Sequence, residues 1–336
     1  MPDFKMWVQA LKIIPRISRE QWDTLDIVSR WLIVTRSAVF VMTATSCAVG
    51  GLLAARSGLF SWSAFLICLI GLVFAHAANN LLNDFVDHKR GIDKDNYFRS
   101  QYGPQPLEHG LMSERQMFAY IAFSSAVAIA AGVYLIFAVG TGVLYLMLAG
   151  AFFALFYTWP LKYMGLGEPS VVLVWGPLMV GGTYFVATGG QWSNGAVLVS
   201  LVYAMGPTTV LFGKHTDKLD ADRQKGVKTL PVILGEKISR YTTIGLWIFQ
   251  YLLLAGLVAG QILGWAFALV LLAVPKCVWA VKIYRHPRPT EPPAELPPNV
   301  WPLFLSAVAF VYNRLFGIIF LAALLLDVIL KTQGLY

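Results

Sequence analysis

Long apolar runs separated by short polar connections set the architecture of this chain. Runs of bilayer-crossing length, roughly 17–25 residues, fall at 33–55, 60–83, 117–138, 141–158, 169–189, 195–213, 242–262, 264–284 and 301–330. They predict nine transmembrane helices. The fourth run is short, and the last is long and contains Arg314. An all-α, polytopic membrane fold follows, since in lipid a helix satisfies its backbone polar groups within its own segment.

Residues 1–30 break the pattern. They are charged throughout and lack the apolar stretch of a cleavable signal peptide. Phe4, Trp7, Leu11, Ile14 and Trp22 lie among Lys5, Lys12, Arg16 and Arg19, as in a helix lying on a membrane surface. Pro15 is expected to break that helix. The expected organisation is therefore an interfacial segment, 1–30, followed by a single transmembrane domain, 31–336. The proline-rich stretch 287–298 reads as a stiff connector.

Composition agrees with the pattern. Hydrophobic residues make up 57% of the chain and charged residues 13%, about half the charged share of a soluble domain. The cations are placed unevenly. Of 26 Lys and Arg, all but Arg36, Arg56, Lys276, Arg314 and Lys331 lie in the first segment, in the connections after the second, fourth, sixth and eighth runs or, for Lys282, in the last turn before the eighth connection. This bias predicts a cytoplasmic N-terminus and puts those connections on the same side. The net charge of +8 is then a property of that face and of anionic lipid. It does not suggest nucleic acid, because the basic residues are spread over membrane connections. Cys47, Cys68 and Cys277 sit inside apolar runs with no pairing or metal spacing, and behave as small hydrophobes.

Two acidic clusters on the cytoplasmic face stand out, because carboxylates are costly beside a bilayer. In the first, Asn80, Asn83, Asp84 and Asp87 follow helical i, i+3, i+4, i+7 spacing and share a face. Amide and carboxylate oxygens suit Mg²⁺, which takes the rest of its shell from water and phosphate. Gly91 allows the chain to turn and return Asp93 to that site. In the second, Asp217 and Asp220 are three apart, about 60° around a helix, while Asp222 lies nearly opposite Asp220. Either Asp217 and Asp220 form the metal-binding face, or the helix ends before Asp222. Lys214, Lys218, Arg223, Lys225 and Lys228 are nearby cations for phosphate oxygens. Each cluster ends an apolar run and precedes a basic, glycine-containing stretch, a weak internal repeat. Two such clusters facing one another would hold divalent cations and, through them, a diphosphate.

The motif Asn80-x-x-Asn83-Asp84-x-x-Asp87 with Gly91-x-Asp93 resembles the first aspartate-rich motif of the UbiA superfamily of intramembrane prenyltransferases. Asp-rich 217–222, followed by Arg223-x-x-Gly226-x-Lys228-Thr229-Leu230-Pro231, resembles the second. Tyr157-Thr158-x-Pro160-Leu161-Lys162 with Gly165-Leu166-Gly167-Glu168, and Pro106-Leu107 with Gly110-Leu111 and Ser113, are similar to further family patterns. Gly91-x-Asp93 and Gly165–Glu168 look most like enzymes that prenylate 1,4-dihydroxy-2-naphthoate for menaquinone. There are departures. The second motif usually has two Asp four residues apart, and counting back from Asp222 reaches Lys218. Lys214 and His215 stand where Asn is frequent, and Gln105 where a basic residue is.

The resemblance implies nine helices around a central cavity, Mg²⁺ on both motifs, and a polyprenyl diphosphate whose prenyl group passes to a lipophilic, aromatic acceptor within the membrane. On that reading Asp84, Asp87, Asn80 and Asn83 hold one Mg²⁺, with Asp93 returning to it, and Asp217 with Asp220 or Asp222 holds another. Arg36, Arg99, Lys162, Arg223, Lys225 and Lys228 contact phosphate, and Tyr157 orients the acceptor or shields the allylic cation. His76, His88, His109 and His215 are not expected among the metal ligands, although His88 and His215 adjoin the clusters and can act on an acceptor proton. The implied setting is a bacterial or archaeal cell membrane with the site facing the cytoplasm. Other acceptors in view are 4-hydroxybenzoate, homogentisate, a porphyrin acid and a glycerol phosphate. A cation-coupled transporter fits less well, because no acid lies mid-run. The Gly-x-x-Ala-Arg stretch of CDP-alcohol phosphotransferases is absent.

Overall fold

The computed structural model describes residues 2–92, 94, 98, 103–293 and 301–335. Among them every regular element is helical. The apolar runs become α1 (Ser37–Arg56), α2 (Trp62–Lys89), α3 (Glu114–Val139), α4 (Gly142–Phe156), α5 (Gly167–Ala187), α6 (Asn194–Asp217), α7 (Glu236–Ala259), α8 (Trp265–Tyr284) and α9 (Phe304–Thr332). Eight are long and apolar enough to cross a membrane. The exception is α4, with 15 residues, about 22 Å of helix against a hydrocarbon core of about 30 Å. Its run stops early because Pro160 disfavours helical backbone just before it.

Three helices depart from the simple pattern where it matters for the site. The first run breaks at Arg36, whose φ of 56° is left-handed, between a short helix Ile27–Val34 and α1. The second runs past its apolar stretch, so Asp84 and Asp87 lie on regular α2 rather than in a loop. The sixth ends at Asp217, and a separate short helix, Leu219–Gln224, follows.

Small residues let helices approach closely, as membrane packing requires. A Cβ on Gly50 of α1 would meet Val180 O of α5 at 2.5 Å. One on Gly213 of α6 would lie 2.7 Å from both Ser306 N and Tyr284 Oη. Between α6, α7, α8 and α9 a core of aromatic rings forms around Trp247, Tyr284, Tyr312 and Phe320. At the end of the bundle away from the acidic clusters, Arg56 Nε donates to Asp327 Oδ2 at 2.5 Å. Gly264 N donates to the other oxygen at 2.9 Å, tying α1, α9 and the approach to α8 together.

The N-terminal segment folds back onto the protein. Helix Phe4–Lys12 ends before Pro15, as expected. Asp26 caps Ile27–Val34 and also accepts from Asp3 N and Trp7 Nε1, stapling the segment shut. Ala10 and Trp22 are buried in one cluster with Leu81 of α2 and Met117 of α3. Part of the apolar face that the sequence assigns to the membrane surface is therefore covered by protein.

Candidate active site

Helix α2 builds one wall of a cavity of about 170 Å³ with Asn79, Asn80, Asn83 and Asp87. The amide nitrogens are committed. Asn79 donates to Ala154 O at 3.2 Å, Asn80 to Thr35 O at 2.8 Å and Asn83 to Thr158 Oγ1 at 3.0 Å. A backbone carbonyl only accepts, so the first two amides are fixed in orientation, and among the described residues no donor reaches either amide oxygen. Asp87 accepts from Lys162 Nζ through both oxygens, at 3.1 Å each. The positive φ of Gly91 then turns the chain, and Ile92 N returns to Asp87 O at 2.9 Å, which brings Ile92 to the cavity edge. Asp93 and Arg99 lie outside the described residues.

Asp84 sits behind this wall. It is buried, is not among the cavity-lining residues, and lies 3.3 Å from Arg36 Nη2. The break before α1 delivers Arg36 to this place. Its guanidinium lines the cavity and also donates to Asn80 O at 3.1 Å. The intramembrane arginine therefore points into the site rather than snorkelling outward.

The opposite wall comes from the end of α6 and the short helix after it: Leu211, Lys214, His215, Lys218, Asp222 and Val227. Because α6 stops at Asp217, the three acids of the second cluster go three ways. Asp217, with a side chain 0% exposed, accepts from Leu305 N at 3.0 Å, Ser306 N at 2.9 Å and Arg288 Nε at 3.1 Å. It satisfies the open first turn of α9 and is not part of the cavity. Asp220 is 84% exposed and lies 3.5 Å from Arg223. Only Asp222 reaches the cavity. Its Oδ1 is 3.0 Å from Lys218 Nζ, while its buried Oδ2 has no hydrogen-bond partner among the described residues. An Asp217–Asp220 face is thus not formed, and the helix end before Asp222 is the alternative that the structure contains.

The remaining candidates divide similarly. Lys162 and Tyr157 line the cavity. Arg223 and Lys228 are exposed and do not. Lys225 donates to Ile92 O at 2.6 Å and Lys94 O at 2.7 Å, and so clamps the two cluster loops together. Asn79 escaped sequence reasoning altogether. Glu168 stands in the sequence only within the Gly165–Glu168 pattern, without an assigned role; it is 1% exposed and meets His215 Nδ1 at 2.6 Å and Leu230 N at 3.4 Å. A signal for Asn79 existed. Asn79, Asn80, Asn83, Asp87 and Ile92 have the same spacing as Lys214, His215, Lys218, Asp222 and Val227, and all ten line the cavity.

Four cationic side chains, Arg36, Lys162, Lys214 and Lys218, thus face two carboxylates, Asp87 and Asp222. Asp84 behind Arg36 offsets one of these charges, and the cations that remain in excess on the walls favour an anion. Among the described residues no three His, Cys, Asp or Glu side chains group closely enough to enclose a metal ion. An open Mg²⁺ shell needs only one or two carboxylates plus phosphate and water. The α2 wall meets that requirement, with Asp87 and the amide oxygens beside it. The α6 wall also offers one carboxylate, but beside Asp222 stand Lys214, His215 and Lys218 in place of amide oxygens.

The sequence profile of the UbiA prenyltransferase family matches residues 44–308. The chain is 27% identical over 270 residues to UbiA prenyltransferase domain-containing protein 1 of Danio rerio, covering 77% of this chain and 78% of that protein. It is 27% identical over 276 residues to the 1,4-dihydroxy-2-naphthoate octaprenyltransferase of Haemophilus influenzae, covering 77% and 84%. It is 28% identical over 260 residues to the digeranylgeranylglyceryl phosphate synthase of Natronomonas pharaonis, covering 77% and 87%. In fold it resembles the apo structure of a UbiA homolog from Aeropyrum pernix K1, with TM-score 0.65, 21% identity, and coverage of 86% of this chain and 98% of that one. It also resembles a UbiA homolog from Archaeoglobus fulgidus bound to GPP and Mg²⁺, with TM-score 0.54, 16% identity, and coverage of 88% and 99%.

Proposed function

The chain belongs to the UbiA prenyltransferase family, and on that premise we propose that it transfers a prenyl group from a polyprenyl diphosphate to a lipophilic aromatic acceptor of the 1,4-dihydroxy-2-naphthoate kind. The observation that carries this reading is the single cavity into which both motifs project, with four cations and two carboxylates on its walls. The diphosphate head lies between the α2 and α6 walls, and the isoprenoid tail runs toward lipid. Lys162, Lys214, Lys218 and Arg36 hold phosphate oxygens and stabilise the charge that develops as the allylic C–O bond breaks and its electron pair leaves with diphosphate. Mg²⁺, held by Asp87 with Asn79, Asn80 and Asn83, supplies further neutralisation of that leaving group. Asp84 acts through Arg36, fixing the guanidinium at the cavity edge. The acceptor forms the new bond to the allylic carbon and releases a proton, and His215, oriented by Glu168, borders the space where that proton leaves. Tyr157 lies where it can shield the cation.

The same reading gives nine membrane-spanning segments around the cavity, with the N-terminus and the site at the cytoplasmic face of a bacterial or archaeal membrane. The decisive experiment incubates purified protein with Mg²⁺, a labelled polyprenyl diphosphate and a panel of acceptors. Acceptor-dependent diphosphate release that is lost in Asp87→Asn is expected, with 1,4-dihydroxy-2-naphthoate preferred over glycerol phosphate. No release with any acceptor would defeat the proposal. For orientation, a cysteine placed at exposed Arg223 should react with an impermeant thiol reagent only from the cytoplasmic side, against a background of three buried native thiols.

A further inference from the structure

The two walls of the cavity share one spacing and differ in chemistry at each polar position but one. Asn79 and Asn80 on α2 answer to Lys214 and His215 on α6, Asn83 answers to Lys218, and Asp87 answers to Asp222. The match extends to the turns. Gly91 and Gly226 both have left-handed φ, 67° and 70°. Ile92 N returns to Asp87 O at 2.9 Å and Val227 N to Asp222 O at 2.8 Å. The turns that follow the two carboxylates are thus equivalent in backbone, and beside them what differs is the donor set. One wall presents oxygen acceptors, the other positively charged or imidazole nitrogens.

From this difference we infer that the α6 wall binds no metal ion, and that Lys218 and Lys214 serve there as built-in cations for the diphosphate, leaving a single Mg²⁺ site on the α2 wall. The inference rests on the proposed diphosphate site. Three features support it. The Lys218 ammonium lies 3.0 Å from Asp222 Oδ1, a position where a divalent cation would have to compete with it. The other two acids of the cluster are committed elsewhere, Asp217 to the first turn of α9 and Asp220 to solvent. Finally, no neutral oxygen side chain from α6 stands beside Asp222 in the cavity lining, whereas three amides stand beside Asp87. Lys162 also pairs with Asp87, yet there a displaced ammonium leaves Mg²⁺ four oxygen-bearing side chains to choose from. On the α6 wall it leaves one. A lysine ammonium is a compact point charge that donates directly to phosphate oxygens. It therefore offsets phosphate charge without a second ion, and Asp222 fixes where it sits.

The test counts metal rather than turnover. Mn²⁺ bound to the full-length, detergent-solubilised protein is measured by electron paramagnetic resonance, with methylenediphosphonate as a non-cleavable diphosphate and protein-free samples subtracted. One Mn²⁺ per chain is expected. It should be lost in Asp87→Asn and retained in Asp222→Asn. Lys218→Met should keep the single Mn²⁺ and weaken methylenediphosphonate binding by about tenfold, the loss of one charge-assisted contact. Two Mn²⁺ per wild-type chain, or loss of bound Mn²⁺ in Asp222→Asn, would overturn the inference while leaving the diphosphate site in place. Unchanged methylenediphosphonate affinity in Lys218→Met would overturn the role given to that ammonium. Wild-type protein that binds neither Mn²⁺ nor methylenediphosphonate would instead remove the diphosphate site, and the inference with it.

Discussion

The α2 and α6 walls look alike as strings of acids and diverge as structures. On α2 the helix runs unbroken through its cluster, so Asn80, Asn83 and Asp87 stay in one stripe and enter one cavity. On α6 the helix ends within its cluster, and Asp217, Asp220 and Asp222 face α9, solvent and the cavity in turn. The same residue type therefore carries three different functions within six positions. Acid count is a poor guide to metal binding, because the site is decided by where the helix stops and by what surrounds each carboxylate.

The comparison breaks most sharply at Asp87. Asp87→Asn should lower kcat/KM for prenyl transfer by about 10²–10³-fold, the scale for losing a principal transition-state charge partner. If Asp217→Asn had the same effect in a steady-state assay, Asp217 would belong to the site after all. A smaller loss is expected at Lys218. Lys218→Met should lower kcat/KM for the diphosphate by roughly tenfold, whereas Asn83→Lys on the opposite wall should abolish Mn²⁺ binding. Next comes Asp217 as a structural residue. Asp217→Asn, which weakens the cap on α9, should cost about 1–3 kcal/mol of stability, read as an earlier thermal transition in detergent, with KM unchanged in the protein that remains folded. Gly213→Ala should act alike, since its new Cβ would collide with Ser306 N, at about 1–3 kcal/mol. The smallest effect belongs to Asp220. At 84% side-chain exposure, Asp220→Asn should stay within about 0.5 kcal/mol in stability and leave kcat/KM at its wild-type value.

Much of this was legible before any coordinates. Apolar run lengths located the eight helices long enough to cross a membrane and the shorter α4, because burial in lipid imposes a length and a composition that few other structures share. The Asn80–Asp87 stripe was legible because helical periodicity alone decides which side chains share a face. Arg36 was recognisable as an oddity by its charge inside an apolar run. Its task was not, because that depends on a left-handed break that brings the guanidinium to Asn80 O and Asp84. Asn79 lies only about 40° around α2 from Asn83, but it was missed because the motif starts at Asn80, its neighbour about 100° away. Only the cavity between two walls gives both neighbours a common space to face.

By itself, then, the sequence determined the helical, membrane-spanning character of the chain and which side chains share the face of the first wall, since both follow from local period and from the apolar run lengths. Tertiary structure decided which acids of the second cluster matter. Asp217 is captured by the open N–H groups of α9, Asp220 by water, and Asp222 by Lys218. Those partners are 88 residues away for Asp217, solvent and the neighbouring Arg223 for Asp220, and one helical turn away for Asp222. No local pattern encodes a competition between partners at such different distances along the chain.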